Sequence, residues 1–203
     1  MMRVGVLASG SGSNFSALVK ALHVEGSPAR VEVLICNVPG AKVLARAAAV
    51  GVEALLIDHK TAPSREQFDE AVAQALIDRR IELVCLAGYL RLVTPTFLRR
   101  FPGKVINIHP ALLPAFPGLH GVKQALDAGV SVTGCTVHFV DEGTDTGPII
   151  AQAPVEVRLG DDETSLAARV QHEEHRLYPA VVKAIACGHV KLEGRKVSVQ
   201  EPL

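Results

Sequence analysis

Lys104-Val105-Ile106-Asn107-Ile108-His109-Pro110 is the stretch whose reading decides the fold. It alternates as a strand does, so Val105, Asn107 and His109 share one face while Ile106 and Ile108 take the other. Along such a strand the Asn107 and His109 side chains stand about 7 Å apart. Pro110 has no N–H for a sheet ladder, so the strand stops there and leaves His109 at its carboxyl end. In open α/β sheets that end is where ligands bind. An amide donor beside a titratable imidazole suits acyl chemistry. A capping asparagine and an ordinary loop histidine are the other reading that the stretch alone leaves open.

Outward from it, strands are expected at residues 3–8, 31–37, 54–58 and 83–87, with helices at 15–24, 41–50, 64–80 and near Pro95. The repeated strand–helix alternation predicts an α/β domain, Rossmann-like, with a mostly parallel central sheet and helices on both faces. Beyond Pro110 the order changes. An irregular loop at 112–121 and a short helix at 121–128 precede strands at 133–140 and 149–157, which read as an antiparallel pair late in the chain. A long helix at 163–186 and a loose hairpin at 189–200 close the chain, and residues 1–203 are expected to form a single domain.

Composition narrows the function. Lys plus Arg and Asp plus Glu are 21 each, and there is no Trp. Without clustered basic charge no nucleic-acid or membrane-surface partner is expected, and small-molecule substrates remain. Cys36, Cys85, Cys135 and Cys187 are far apart, with no zinc spacing, so they are expected to be buried small hydrophobes and no metal is expected. The apolar run at the amino terminus is too short for a signal peptide, and no run reaches the roughly 20 residues of a membrane span. A cytoplasmic protein is expected, and its oligomeric state is left open.

Four further features carry chemistry. Ser9-Gly10-Ser11-Gly12-Ser13-Asn14 joins a strand to a helix, an arrangement that aims backbone N–H groups at an anion such as phosphate. Phe15 stands where G-x-G-x-x-G has its third glycine, which disfavours a dinucleotide, and a tight turn without a ligand is the plainer alternative. Arg65 lies in the first turn of its helix, where the dipole disfavours a cation, so it serves either a ligand or the surface. Glu174 falls on the apolar line Leu166, Val170, Leu177, Val181, so its carboxylate is either paired or functional. Asp145, in the acidic glycine-rich turn 141–148, is placed to return toward His109, raise its pKa and hold its orientation. No serine or cysteine is set as a nucleophile, so direct transfer between two bound substrates is expected, without a covalent acyl-enzyme. His138 reads as structural, and His120 is open.

The motifs Gly10-Ser11-Gly12-Ser13-Asn14, Leu86-Ala87-Gly88-Tyr89-Leu90-Arg91, Asn107-Ile108-His109-Pro110-Ala111-Leu112-Leu113-Pro114, Pro117-Gly118-Leu119-His120 and Asp145-Thr146-Gly147-Pro148 follow one another in order. Together, over nearly the whole chain, they resemble the folate-dependent phosphoribosylglycinamide formyltransferase family. The resemblance implies a formyltransferase fold. It also implies transfer of the formyl group of 10-formyltetrahydrofolate, as co-substrate, to the amine of glycinamide ribonucleotide through a tetrahedral intermediate, in purine biosynthesis. It further implies that Asn107 holds the formyl oxygen, His109 protonates the leaving nitrogen, and Asp145 supports His109 and orders a water. Gly12, Ser13 and Asn14 would cradle the ribonucleotide phosphate, and Glu174 the glycinamide end or ribose. Arg65, Leu90, Arg91, Leu92, Val93, Asn107 and the loop from Asp141 to Asp145 would contact the folate. Ala111, Ala115 and Gly121-Val122 depart from the commoner serine, lysine and Thr-His. A formyltetrahydrofolate hydrolase, a methionyl-tRNA formyltransferase and a non-catalytic nucleotide-binding module are the alternatives. The tRNA enzyme requires a further carboxyl-terminal domain and basic surface.

Overall fold

The structure is a computed structural model and describes residues 1–200. Its elements in chain order are β1 (Met2–Ala8), α1 (Ser13–Leu22), β2 (Ala29–Cys36), α2 (Lys42–Ala49), β3 (Glu53–Leu56), α3 (Arg65–Asp78), β4 (Leu83–Leu86), α4 (Pro95–Arg100) and β5 (Val105–His109). They continue with α5 (Gly121–Asp127), β6 (Val132–Phe139), β7 (Ile149–Glu156), α6 (Glu163–Ala186), β8 (Val190–Glu193) and β9 (Lys196–Val199). The strands β3-β2-β1-β4-β5-β6-β7 form one seven-stranded sheet in that order. The chain divides into two compact units, Met1–Ile106 and the residues from Asn107 onward.

In the first unit, β1 pairs in parallel with β2 on one side and β4 on the other. Val4, Val6, Leu7 and Ala8 are wholly buried, the near-continuous apolar run that a strand covered on both faces requires. The chain steps from β1 to β2 to β3, then crosses back to β4. With right-handed crossovers, that reversal puts α1 and α2 on one face and α3 on the other. Gly5 lets α3 approach: a Cβ there would lie 2.6 Å from Leu76 Cδ2. Phe15, Leu18 and Leu22 of α1 and Phe68, Val72 and Leu76 of α3 are the buried stripes, each side chain contributing about 1.5–3 kcal/mol by burial. Ser64 caps α3 by accepting from Gln67 N–H at 3.1 Å.

In the second unit, β6 and β7 are antiparallel, with a register slip between Val137 and His138. Gly134 permits this pairing, because a Cβ would meet the Ala153 carbonyl oxygen at 2.0 Å. Helix α6 packs on both strands. Its predicted line, Leu166, Val170, Leu177 and Val181, is buried, and Asp162 and Ser165 form a reciprocal cap at its start. The tail forms the expected hairpin, β8 against β9.

Two expectations are corrected. Helix α1 begins at Ser13 instead of Phe15, because Gly12 in a left-handed conformation (φ 75°) ends the loop early and brings Ser13 and Asn14 into the first turn. Cys36, Cys85 and Cys135 are buried, but Cys187 is exposed at the carboxyl end of α6, where the apolar line has already ended. Among the described residues no helix is long and apolar enough to cross a membrane.

Candidate active site

Asn107 and His109 emerge from the same side of β5, as the alternation requires, and Asp145 comes back from the turn after β6 to meet both. His109 Nδ1 lies 3.3 Å from Asp145 Oδ2, and Asn107 Nδ2 lies 3.5 Å from Asp145 Oδ1. One carboxylate therefore faces the imidazole with one oxygen and the amide with the other. His109 Nε2 donates to the Phe116 carbonyl at 2.8 Å, so both ring nitrogens face acceptors. The histidine is buried.

His138 belongs to the same cluster. Its Nδ1 lies 2.8 Å from the Phe139 carbonyl, which assigns the proton to that nitrogen and leaves Nε2 to accept from Asn107 Nδ2 at 3.2 Å. The same Nε2 is 3.6 Å from Asp145 Oδ1, an electrostatic contact beyond hydrogen-bond length. The sequence reads His138 as structural, and the structure adds that it stands beside Asn107 and Asp145. Its alternation along the strand is visible in the sequence, but not which neighbouring strand that face adjoins.

Burial alone would push the Asp145 carboxyl up. The Gly118 N–H at 2.8 Å and the charge of His109 act against it and hold the group below its ordinary range. Asp145 itself sits at φ 55°, in the left-handed region. The following Gly147 is crowded, since a Cβ would lie 1.7 Å from the Phe139 carbonyl oxygen. The turn is therefore tightly determined. Thr136 fastens the loop opposite, accepting from Leu113 N–H at 3.0 Å and donating to the Ala111 carbonyl at 2.7 Å. Gly121, one of the departures noted above, lies close in: a Cβ would be 3.1 Å from the Pro110 carbonyl oxygen and 3.4 Å from His109 Nε2. His120 is exposed and starts α5 at φ 61° without a side-chain cap.

Asp141 folds onto its own turn. Its Oδ1 accepts from Thr146 Oγ1 at 2.6 Å and from Gly143 N–H at 3.1 Å, while Arg195 Nη1 approaches Oδ2 at 3.2 Å. Burial opposes the charge of Asp141, and these donors overcome it and lower its pKa. Arg195 also donates to the Thr146 carbonyl, so the tip of the β8–β9 hairpin braces the turn that carries Asp145. An exposed ion pair with one backbone hydrogen bond contributes about 1–2 kcal/mol. Arg195→Ala is therefore expected to lower turnover by up to about tenfold. Steady-state rates indistinguishable from the parent would show that the turn holds its shape unaided.

Glu174 is buried on α6, and its charge adds to the burial that pushes the Cys135 thiol up to about 12. In the first unit, Gly12 and Asn14 are buried and Ser13 half-buried at the uncapped start of α1. Helix α2 closes over Gly12, its Val43 N–H bonded to the Gly10 carbonyl at 3.1 Å. Arg65 donates to the Leu92 carbonyl, and the Arg91 guanidinium lies 4.9 Å from the centre of the Phe68 ring. Val93 is buried, whereas Leu90 and Leu92 are 69% and 53% exposed.

Compared with known proteins, residues 2–182 match the family model described as formyl transferase. The chain is 45% identical over 185 residues to the phosphoribosylglycinamide formyltransferase of Bacillus subtilis, covering 91% of this chain and 95% of that one. It is 46% identical over 191 residues to the trifunctional purine biosynthetic protein adenosine-3 of Drosophila pseudoobscura pseudoobscura; the match covers 93% of this chain but only 14% of that longer protein. The crystal structure of glycinamide ribonucleotide transformylase 1 from Symbiobacterium toebii superposes with a TM-score of 0.97 at 48% identity, covering 99% of this chain and 95% of that one.

Proposed function

The chain belongs to the formyl transferase family, and on that premise we propose that it transfers the formyl group of 10-formyltetrahydrofolate to the amine of glycinamide ribonucleotide, in the cytoplasm, for purine biosynthesis. The observation that carries the reading is the Asp145 carboxylate shared between Asn107 and His109. The substrate amine attacks the formyl carbon and forms a tetrahedral intermediate. Asn107 Nδ2 gives up its long 3.5 Å contact with Asp145 and donates to the developing oxyanion. The attacking nitrogen loses a proton to water ordered by Asp145. His109 supplies a proton to the folate nitrogen as its bond to the formyl carbon breaks, using the N–H that now rests on the Phe116 carbonyl.

Gly12, Ser13 and Asn14 hold the phosphate at the start of α1, where backbone donors and the helix dipole favour an anion. Glu174 takes the glycinamide end or the ribose. The exposed Leu90 and Leu92 give the folate an apolar surface, with Arg65, Arg91, Val93, Asn107 and Asp141 completing its contacts. We read residues 1–203 as one formyltransferase domain, a reading that the extent of the family match supports. The test is release of tetrahydrofolate from 10-formyltetrahydrofolate with and without glycinamide ribonucleotide. Release that requires the ribonucleotide is the expected result. Release without it would make the protein a hydrolase and leave the phosphate loop unexplained.

A further inference from the structure

We propose that Ser9 and Asn37 are positioning residues: a hydrogen-bonded chain from the half-buried His59 through the buried Asn37 and Ser9 sets the backbone of loop 88–92 and so prepares the surface that receives the folate. The inference rests on the reading of that loop as the folate contact.

The chain of bonds runs across the carboxyl ends of three neighbouring strands. Ser9 follows β1, Asn37 follows β2 and His59 lies just past β3, while loop 88–92 follows β4. Because β1 and β4 are neighbours at the point where the strand order reverses, the loops after them flank the crevice in which open α/β sheets bind ligands. Ser9 spans that crevice with two bonds. Its N–H donates to the Gly88 carbonyl at 3.0 Å, and its Oγ accepts the Leu90 N–H at 2.9 Å.

The second bond depends on Asn37. Ser9 Oγ lies 2.6 Å from Asn37 Oδ1, a separation typical of O–H to oxygen, so the hydroxyl proton is committed to the amide and the lone pairs turn toward Leu90. His59 Nδ1 in turn donates to the Asn37 carbonyl at 2.9 Å, and its ring rests edge-on against Phe68 at 6.3 Å. Ser9 is 5% and Asn37 2% exposed. Hydrogen bonds between buried polar groups rigidify what they hold.

The rest of loop 88–92 is held in the same manner. Arg65 donates to the Leu92 carbonyl, the Arg91 guanidinium lies on the Phe68 face, and Thr94 N–H donates to the buried Asp69 at 2.6 Å. Gly88 (φ 69°) supplies the reversal out of β4. A backbone pinned at so many points, yet displaying Leu90 and Leu92 to solvent, has its ordering cost met before a ligand arrives. Removing the Ser9 hydroxyl loosens only the Leu90 side of this arrangement. The Ser9 backbone stays in register through Ala87 N–H to the Leu7 carbonyl and through its own bond to Gly88, so the phosphate loop beyond it keeps its place.

The experiment combines steady-state kinetics with amide hydrogen exchange on Ser9→Ala, Asn37→Ala, the double variant and Leu90→Ser. Ser9→Ala is expected to raise KM for the folate about five- to tenfold, with kcat and KM for the ribonucleotide within about twofold. Protection of the Leu90 amide falls while that of Ala87 is retained. Asn37→Ala gives the same pattern, and the double variant is no worse than either single one, because both break one chain of bonds. Should Ser9→Ala not fold, Asn37→Ala and its Leu90 exchange carry the test alone. A folate KM unchanged in Ser9→Ala but raised in Leu90→Ser overturns the positioning role and leaves the folate reading standing. An unchanged folate KM in Leu90→Ser overturns that reading, and the proposal with it. An equal rise in both KM values, or loss of protection at Ala87 as well, reduces Ser9 to general support of the fold.

Discussion

Replacing His109 with alanine is expected to lower kcat by about 100- to 10,000-fold, the usual contribution of a positioned proton donor, while both substrates still bind. Both ring nitrogens of His109 face acceptors, Asp145 Oδ2 at 3.3 Å and the Phe116 carbonyl at 2.8 Å, so it carries its proton toward the reacting groups. His138 cannot take its place, because its Nδ1 proton is committed to the Phe139 carbonyl at 2.8 Å and its Nε2 faces Asn107. Asp145 is held below the ordinary carboxylate range, so it stays ionised down to lower pH than a free aspartate. A fall in the parent's rate between pH 5 and 8 therefore cannot come from protonation of Asp145. Turnover numbers across that range for the parent and for His109→Ala check both statements. A variant that retains the parent's rate removes His109 from the chemistry, whichever acceptor is used.

Gly12→Val is expected to weaken ribonucleotide binding about 10- to 1,000-fold, the loss of one or two charge-assisted hydrogen bonds to the phosphate, with folate affinity nearly unchanged. Two independent constraints meet at this position. Its φ of 75° is a left-handed conformation that a β-branched residue avoids. A Cβ would also lie 2.4 Å from Val43 Cγ2 and 3.0 Å from the Val43 backbone, so α2 would have to retreat from the loop. Either way the start of α1 moves and its first-turn N–H groups lose their aim. Calorimetric titration with each ligand separately reads the effect. Equal losses for both ligands would show that the glycine loop does not serve the phosphate specifically.

Much of this was legible from residues alone because it depends on local periodicity. The alternation of residues 104–109 predicts β5 and the shared face of Asn107 and His109. The step of three and four residues along Leu166, Val170, Leu177 and Val181 predicts α6 and the inward-facing Glu174, both as observed. What was missed needed partners remote in sequence. His138 lies 31 residues from Asn107, and nothing between them states that their strands are neighbours. The hairpin tail had no chemistry to offer as sequence. Its Arg195 gains a role only because the fold returns it to Asp141, 54 residues earlier. Ser9 read as part of a phosphate loop, and its second partner, Leu90, stands 81 residues away.

The sequence by itself determined the α/β alternation, the reversal to an antiparallel pair late in the chain, and an amide, an imidazole and a carboxylate suited to acyl chemistry. These follow from side-chain period, turn chemistry and the donor inventory of each residue, all of which are local. Only the tertiary structure decided that Asp145 divides its two oxygens between Asn107 and His109, that His138 stands with them, and that Ser9 joins the loops after β1 and β4. A hydrogen bond is directional and a few tenths of an ångström decides whether it exists. Which groups meet at that precision is set by strand order, and strand order is a property of the folded chain.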